Sequence, residues 1–381
     1  MTAALNSQSL QASSDAAASG KKKRLLVLCP YPEGVAAGQR LKYEQYIDHW
    51  KASGFEVEIA PFMDMAMWNK LYLKGHTLTK ALGTVKGYLR RCRDLLRLRR
   101  YDGVYIFMWV TPLGTSLFER LVAKLSRRMV YDVEDNIFVE KGNELNWFAK
   151  LLKSPAKTQV LVREADHVIT SSPFLNEYCE KINKHSRCTF VTSSVDVDRY
   201  VAADKSTTKS PVVIGWTGTF TSRRFLDQLR PAFIKLRALR DFKLLVIGNF
   251  EYEFPEVDCE MIQWTKEREI EDLQRIDIGV YPLPKEDWVL GKSGLKVIQY
   301  MAMSLPTVST NYGTAKDIVD HGQSGFLADD EDDWVRSLVQ LIDDHELRKS
   351  LGTKARQTIE DRYSVNVINK QYLGVLNQVF K

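Results

Sequence analysis

Short apolar segments alternate with helical segments along this chain, and this alternation restricts the fold more than any other feature. Residues 25–29 form an apolar run that a Pro closes, which predicts a buried first strand. A loop of small residues, 34–40, follows, and apolar side chains then recur at helical spacing over residues 43–50. Residues 55–60 alternate like a strand. This order of strand, loop, helix and strand predicts a parallel α/β fold.

The same order continues towards the C-terminus. The further predicted strands are 103–109, 128–133, 167–171, 212–216, 242–247, 259–264, 278–281 and 307–310. Helices are predicted over 225–239, from about Gly294, and over 335–380 with a break at Tyr363. We expect two doubly wound, Rossmann-like parallel sheets facing across a cleft, with ligands beyond the carboxyl ends of the strands.

Composition shifts suggest where the domains end. The predicted parts are a disordered tail over 1–20, an N-terminal domain over 21–200, a linker over 201–211, a C-terminal domain over 212–362 and a C-terminal helix over 363–381. The tail is rich in Ala, Ser and Gln, and the linker in Ala, Asp, Lys, Ser and Thr. As a hypothesis, the last helix crosses back to the N-terminal domain.

Composition also excludes several classes of protein. With 381 residues, of which 44% are hydrophobic, the chain can bury sizeable cores. The five cysteines include no C-x-x-C pair, so neither a disulfide framework nor a structural zinc site is expected. The net charge of +6 is too small to imply nucleic acid. Without an apolar run of about 18–20 residues or a signal-peptide core, we expect a cytoplasmic chain.

Residues 291–310 read as loop, helix, tight turn and strand, and they carry the strongest signal for a ligand site. Gly291 and Gly294 let backbone amides turn outward at the helix start, where N–H groups and the helix dipole can hold a phosphate. Lys292 and Lys296 add positive charge there. The same spacing also fits an ordinary surface helix with two solvated lysines.

This stretch resembles the signature of glycosyltransferase family 4, whose usual form is E-G-F-G-x-x-x-x-E-A-M-A-x-G-x-P-V. The matching residues are Gly294, Met301, Ala302 and Pro306. Gly291 and Gln299 stand where the family has Glu, and Lys296 resembles the Lys of a branch that reads K-x-x-E/Q-Y-M-A. The sequence here reads as a divergent form of the signature, GKSGLKVIQYMA.

Other segments resemble the family in the same order along the chain. They are the glycine loop 34–40, the A-D-x-V-I-x-x-S strand 165–171, the V-D-x-x-x-F segment 195–200 and the H-G-x-x-G-F-L turn 321–327. The resemblance runs from about residue 24 to the end. It implies the GT-B fold, in which the N-terminal domain lies on the acceptor side and the C-terminal domain binds a nucleotide-sugar.

The first departure from the family lies after the first strand of the second domain. Relatives commonly carry G-R-L-x-x-x-K there, and the two basic residues hold the donor diphosphate. After Gly218, Thr219 takes the Arg place and Arg224 the Lys place, with Arg223 beside it. Because a guanidinium suits bidentate phosphate contact, one basic partner is expected to be retained. The alternative is a solvated pair of arginines at a helix start.

The second departure is an acidic run that ends the strand at 128–133. Family members often have His-Asp there, whereas Glu134 takes the His place in this sequence, and Asp135 follows it. A branch of the family carries D-x-D-D, so this is a recognisable variant. The run also resembles a metal-binding D-x-D, but relatives of this fold do not usually bind the donor through such a metal. A solvated acidic loop is the third interpretation.

The resemblance implies a set of site residues. The expected catalytic residues are Glu134, Asp135, Arg224 and Lys296. The expected donor-binding residues are Gly218, Thr219, Arg223, Trp264, Lys292, Ser293, Gly294, Leu295 and Gln299. Gly38 and Arg40 are expected at an acceptor or phosphate loop, with a turn glycine and a surface arginine as the alternatives. Trp264 either covers the nucleotide base or belongs to the core.

The resemblance also implies the chemistry. The leaving group is a nucleoside diphosphate, whose departure builds negative charge that the basic residues and the helix start stabilise. Retention of anomeric configuration is implied, with the acceptor hydroxyl attacking from the leaving-group face. No metal and no cofactor are expected, and the nucleotide-sugar is a substrate.

Lys and Arg dominate residues 70–100, where Asp94 is the single acidic residue. Apolar residues such as Leu82, Val85 and Leu89 recur at helical spacing, and Lys86 starts a separate basic stripe. Such a cationic face can lie on anionic lipid. The alternatives are that the apolar stripe packs within the first domain while the charges are solvated, and that the face binds nucleic acid.

Three functional hypotheses follow. The first is a retaining glycosyltransferase that moves a sugar from a nucleotide donor to a glycan or lipid-linked glycan, in bacterial-type surface polysaccharide biosynthesis. The second is a non-catalytic relative that binds nucleotide-sugar or a partner transferase, because both signature Glu positions and the first basic position have changed. The third is a nucleotide-sugar epimerase of the same fold. The donor sugar, its nucleotide and the acceptor do not follow from the sequence.

Overall fold

The computed structural model describes residues 22–71, 73, 75–134, 156–204 and 211–381. The described residues divide into two compact units. The first contains the described residues up to Asp132, residues 156–167 and residues 373–381, and the second contains residues 133–134 and the described part of 168–372. The described strands form two six-stranded parallel sheets with helices beside them, which confirms the predicted α/β class.

The first sheet has the strand order β2-β1-β3-β4-β5-β6. Its strands are β1 (Lys23–Cys29), β2 (Phe55–Pro61), β3 (Gly103–Phe107), β4 (Met129–Val133), β5 (His167–Thr170) and β6 (Cys188–Phe190). The helices between them are α1 (Ala37–Lys42), α2 (Ile47–Ala52), α3 (Met65–Trp68), α4 (Thr77–Arg97), α5 (Leu117–Leu125), α6 (Ala156–Glu164) and α7 (Pro173–Ile182). β1 pairs in parallel with both β2 and β3, and its apolar residues from Leu25 onward are buried, as their continuous run predicts.

The second sheet has the strand order β12-β11-β10-β7-β8-β9. Its strands are β7 (Val212–Gly218), β8 (Phe242–Gly248), β9 (Asp258–Gln263), β10 (Ile278–Tyr281), β11 (Thr307–Thr310) and β12 (Gly325–Ala328). The helices are α8 (Arg223–Asp227), α9 (Arg230–Leu239), α10 (Glu269–Gln274), α11 (Leu295–Ala302), α12 (Ala315–Ile318), α13 (Glu331–Asp343), α14 (His345–Arg362) and α15 (Val365–Val379).

Both faces of the second sheet are covered. Along β8, Leu244 and Val246 belong to one hydrophobic cluster, which contains Phe233 of α9. The intervening Leu245 belongs to a second cluster, which contains Ile298 of α11. Because successive side chains of a strand point to opposite faces, this alternation buries the sheet between two helical layers.

The last residues of the chain pack in the first unit. The ring of Phe380 lies 6.3 Å from that of Phe55. It also covers Gly103 so closely that a Cβ there would lie 1.9 Å from a Phe380 ring carbon. A larger residue at 103 would therefore displace the C-terminus.

Several helix predictions were wrong in detail. The predicted loop at 34–40 is a helix from Ala37 onward, and the helix predicted over 43–50 starts as a 3₁₀ turn, Glu44–Tyr46, and becomes α-helical only from Ile47. The predicted helix 225–239 is two helices, because Pro231 lacks an N–H group and fits only the first turn of α9. The break at Tyr363 is confirmed, and Asp344 makes a second one by capping α14 through the N–H of Leu347.

The long basic helix α4 does not bury its apolar stripe. Gly83 and Gly87 face the interior instead, and Leu82, Val85 and Leu89 are exposed. The interpretation in which the stripe packs within the first domain was therefore wrong. Among the described residues, none of the helices is both long and apolar enough to cross a membrane.

Candidate active site

The candidate site lies in the second unit, where β7 ends and α8 and α11 begin. β7 ends at Gly218, and the chain then makes a 3₁₀ turn, Phe220–Ser222, before α8. A Cβ on Gly218 would lie 2.0 Å from the Trp216 ring and 2.7 Å from Ser222 Oγ, so only glycine fits beside the turn.

The turn after β7 is held by its own side chains. Thr219 N–H donates to Ser222 Oγ at 2.9 Å, and Ser222 Oγ–H donates to the Thr219 carbonyl at 3.1 Å. The N–H of Phe220 donates to Asn249 Oδ1 at 2.9 Å. Thr219, which replaces the Arg of the family pattern, thus acts as a capping residue that shapes the turn.

The start of α11 is shaped by Gly294. Its φ of 70° is left-handed, and a Cβ would lie 2.5 Å from Ile318 Cδ1. The preceding strand-like segment is fixed by Thr314, whose Oγ–H donates to the Lys292 carbonyl at 2.7 Å. No side chain caps this end of α11 among the described residues, and it carries no acidic residue in its first turn. It therefore has the character of an anion-binding helix start.

Three cations reach this helix start, and each lies over an aromatic ring. Lys296 Nζ is 5.3 Å from the centre of the Trp216 ring and 3.5 Å from Ser222 Oγ. Lys292 Nζ is 5.4 Å from the centre of the Trp288 ring, and Arg224 Cζ is 5.3 Å from the same centre. The rings attract the cations and hold them between the end of β7 and the start of α11.

Trp288 is a site residue that the sequence reasoning missed. It lies in the 3₁₀ segment Asp287–Gly291, its ring centre is 5.6 Å from that of Phe225, and its Nε1–H donates to Glu286 Oε2 at 2.5 Å. Its position three residues before Gly291 was the available signal, but no motif marks it. By contacting both Lys292 and Arg224, it links the α11 loop to α8.

Arg223 differs from its neighbour. Its guanidinium lies 4.0 Å from the Asp227 carboxylate and 5.8 Å from the centre of the exposed Phe220 ring. The exposed ion pair is worth little to stability. Of the two adjacent arginines, Arg224 is therefore the one that joins Lys292 at Trp288.

Gln299 is buried, and its amide already has partners. Nε2–H donates to the Tyr200 hydroxyl at 2.8 Å and to Glu269 Oε1 at 3.4 Å. Glu269 is itself buried and lies 3.2 Å from Arg199. A neutral amide fits beside this carboxylate, whereas a second carboxylate would repel it. The surroundings of this position thus favour an amide over a carboxylate.

Tyr300 positions α11 against the sheet. Its hydroxyl accepts a hydrogen bond from Thr217 N–H at 2.7 Å, and complete burial raises the pKa of this hydroxyl. Its ring presses on Gly279 of β10, where a Cβ would lie 2.6 Å from it. The neutral side chain therefore fixes the helix start relative to the end of β7.

The remaining predicted donor residues, Ser293, Leu295 and Trp264, belong to the same unit. Ser293 is buried and Leu295 begins α11. Trp264 follows β9, donates its backbone N–H to the Gly248 carbonyl at 2.8 Å, and packs half-buried against the second hydrophobic cluster. Both interpretations of Trp264 remain compatible with this placement.

The residues predicted in the N-terminal part are placed differently. Gly38 and Arg40 lie within α1 rather than in a loop, and Arg40 is buried, so it is not a surface arginine. Glu134 follows β4 and is half-buried, while Asp135 lies outside the described residues.

The acidic run begins with a carboxylate that is fully buried. The hydroxyl of Tyr105 donates to Asp132 Oδ2, and Lys42 Nζ lies 3.8 Å from Asp132 Oδ1. In the part of the chain that the structure describes, no group of three or more His, Cys, Asp or Glu residues is arranged to hold a metal ion.

A known family model matches the part of the chain that contains these residues. Residues 211–344, which include Gly218, Arg224, Trp288 and Lys296, match the family model described as glycosyl transferases group 1. The match lies within the second unit.

Two curated relatives align with parts of the chain. The N-acetyl-alpha-D-glucosaminyl L-malate synthase of Bacillus anthracis is 25% identical over 57% of this chain and 61% of its own length. The capsular polysaccharide biosynthesis glycosyltransferase CapM of Staphylococcus aureus is 24% identical over 44% of this chain and 47% of its own. The chain thus spans less than two thirds of each relative.

A solved structure agrees over nearly the whole chain. Anabaena Alr3699/HepE, solved in complex with UDP and glucose, superposes with a TM-score of 0.62 at 14% sequence identity, covering 93% of this chain and 100% of that one. At this identity the likeness establishes the fold alone. The chain has the GT-B fold, which confirms the fold that the sequence predicted.

Proposed function

We propose that this protein is a retaining glycosyltransferase that moves a sugar from a nucleotide-sugar donor to a glycan or lipid-linked glycan. One observation carries the proposal: Arg224, Lys292 and Lys296 gather at the uncapped start of α11, within the segment that matches the glycosyltransferase model. Three cations and a helix start suit the diphosphate of a nucleotide-sugar.

The proposed chemistry assigns each group a role. The bond between the anomeric carbon and the diphosphate oxygen breaks, and Arg224, Lys296 and the amides of α11 stabilise the negative charge on the departing oxygen. The acceptor hydroxyl oxygen bonds to the anomeric carbon from the same face, and its proton passes to the departing phosphate. Glu134 and Asp135 orient the sugar or the acceptor. No metal or cofactor is required.

The names of the similar proteins support the substrate class. One relative is named as an N-acetyl-alpha-D-glucosaminyl L-malate synthase, another as a glycosyltransferase of capsular polysaccharide biosynthesis, and the superposed structure holds UDP and glucose. We propose a nucleotide-linked hexose or related sugar as the donor, and surface polysaccharide biosynthesis as the process. We also propose that the enzyme works in the cytoplasm, at an anionic membrane surface that attracts the basic residues 70–100.

The first test is a thermal-shift screen with UDP-, GDP-, dTDP- and ADP-sugars on the native chain and on Arg224→Ala and Lys296→Ala. Donor at about 100 times its dissociation constant should add roughly 2.7 kcal/mol to the free energy of unfolding. Lys354→Ala, an exposed lysine on α14, is the matched control. A shift that both site variants lose and the control keeps supports the donor site.

A non-catalytic relative that binds nucleotide-sugar is the second candidate. Gly291 and Gln299 favour it, because both lack the carboxylate of the signature, and Gln299 is engaged with Tyr200 and Glu269. Mass spectrometry separates the two functions. A donor that shifts the melting temperature but yields neither a glycosylated product nor free nucleoside diphosphate contradicts catalysis and supports the binding role.

A further inference from the structure

Helix α4 presents its apolar side away from the unit in which it is packed. Its apolar stripe consists of Leu78, Leu82, Val85, Leu89, Cys92 and Leu96. The five aliphatic members are between 55% and 87% exposed, from Leu82 to Leu96, and Cys92 is exposed as well. The spacing alternates between four and three residues, so these side chains share one face of the helix over five turns.

The opposite face of α4 is fixed in place. A Cβ on Gly87 would lie 2.4 Å from the Phe62 ring, and one on Gly83 would lie 2.9 Å from Met67 Cγ. Because only glycine allows these approaches, the helix cannot rotate to bury its leucines.

Arg91 strengthens this orientation. Its guanidinium is buried, and it donates to the carbonyls of Val110, Ala60 and Cys29 at 2.8 Å each, and to Asp94 Oδ2 at 2.9 Å. A buried cation with four acceptors is costly to expose. The outward stripe is therefore a stable feature of the folded unit.

The polar residues beside the stripe are cationic. Lys86 and Arg93 are exposed on one flank and form no salt bridge with any described residue. Asp94, the single acidic residue of 70–100, is buried with Arg91 and Arg97. Among the residues of α4 itself, the outer side thus combines an apolar stripe with positive charge, and the neighbouring carboxylate of Asp64 is paired with Arg90.

We infer that the outward face of α4 inserts into an anionic lipid bilayer, with Leu82, Val85 and Leu89 below the headgroups and Lys86 and Arg93 against the lipid phosphates. This inference rests on the membrane association proposed above, but not on the transferase activity. The positive charge of this face favours an anionic bilayer as its partner over a second copy of the chain. Two α4 stripes in contact would bring Lys86 and Arg93 of both copies together, and the nearby carboxylate of Asp64 already pairs with Arg90, whereas anionic headgroups complement both cations.

Vesicle flotation tests the inference. The full chain is mixed with vesicles of phosphatidylcholine containing 40% phosphatidylglycerol, or of phosphatidylcholine alone. We expect binding to the anionic vesicles only, weakened about tenfold or more by the double variant L82Q/L89Q and by K86E/R93E. The matched control is I234Q/L239Q, which removes two exposed apolar residues of α9 and should bind like the native chain.

Insertion is tested through Cys92, which lies in the stripe. An environment-sensitive dye on Cys92, in a chain carrying C188S and C259S, should shift to the blue on anionic vesicles and be quenched by lipids brominated in their acyl chains. Flotation without this shift overturns insertion. Loss of binding by the control variant, equal binding by L82Q/L89Q, or a native dimer that L82Q/L89Q dissociates would each contradict the inference.

Activity separates this inference from the transferase proposal. With a water-soluble acceptor or in donor hydrolysis, L82Q/L89Q should retain native activity, whereas R224A should lose activity and still float with the vesicles. A protein inactive in every form but bound through α4 contradicts only the transferase proposal. An active protein that does not bind vesicles contradicts only the membrane inference.

Discussion

Helices α4 and α11 both carry lysine or arginine beside apolar residues, but their surroundings differ completely. At the start of α11, cations converge on the rings of Trp216 and Trp288, while the helix itself is buried from Val297 onward. On α4, the cations lie along a row of exposed apolar side chains. Converging cations suit a small, highly charged anion, whereas a linear arrangement suits an extended anionic surface.

The comparison also shows what hydrophobic periodicity leaves open. In both helices an apolar stripe recurs at helical spacing, yet α11 buries it and α4 does not. Periodicity identifies the helix and its faces, but the residues on the other face decide which one packs. In α4 these are Gly83, Gly87 and Arg91.

The largest contrast should be seen in stability. Ile298 of α11 is fully buried, so Ile298→Ala should lower the free energy of unfolding by about 2–5 kcal/mol. Leu89 of α4 is 64% exposed, and Leu89→Ala should change it by less than about 0.5 kcal/mol. Urea unfolding measures both. A cost at Leu89 comparable to that at Ile298 would mean that the stripe is packed in the folded protein.

Removal of the Lys296 ammonium group should have the largest effect on activity. Lys296→Ala should lower kcat/KM by about 10²–10³, because it removes charge stabilisation of the leaving group. Its melting temperature should stay close to that of the native chain, since Lys296 is only half-buried. Steady-state kinetics measure the effect, with Lys354→Ala as the control. An equal loss of kcat/KM in both variants would show that the effect is not specific to the position of Lys296.

Restoring the carboxylate of the family signature should damage the protein. Gln299→Glu would replace a hydrogen-bond donor to Tyr200 and Glu269 by a second buried acid, at a cost of about 1–3 kcal/mol of stability. Gln299→Glu combined with Glu269→Gln should recover part of this loss. Thermal unfolding of Gln299→Glu, Glu269→Gln and the double variant tests the pairing, and additive losses in the double variant would rule it out.

The smallest expected effect concerns Trp288. Trp288→Leu removes the ring shared by Lys292 and Arg224, and it should raise KM for the donor about tenfold, equivalent to about 1.4 kcal/mol. Trp288→Phe should keep part of the affinity.

Arg223→Ala, next to Arg224 but directed to Asp227, should change KM less than Arg224→Ala does. The reverse order of the two arginines would contradict their assignment.

The sequence predicted the bounds of most strands far better than it predicted where the helices begin and end. β10 and β11 begin and end at the predicted residues, because short apolar runs between turns leave little choice. The split between α8 and α9 was missed although Pro231 marks it. Strand β6 was missed because it has only three residues, all partly buried, and β12 was missed because its residues were interpreted as part of the H-G-x-x-G-F-L turn.

The candidate site was predicted where it follows from local sequence. The glycine turn before α11 and its two lysines come from one continuous segment, so spacing reveals them. The roles of Trp288 and Glu269 depend on residues brought together by the fold, as in the contact between Glu269 and Gln299. Such pairs leave no trace in a single sequence.

Hydrogen–deuterium exchange with bound nucleotide tests the central claim most directly. The native chain is compared without ligand and with saturating UDP, GDP, dTDP or ADP. The account predicts that at least one nucleotide slows exchange in peptides covering residues 219–224 and 291–297, with peptides from α4 unchanged, and that Lys296→Ala abolishes the protection. Protection centred outside these two segments, or retained by Lys296→Ala, would contradict the placement of the donor diphosphate at the start of α11.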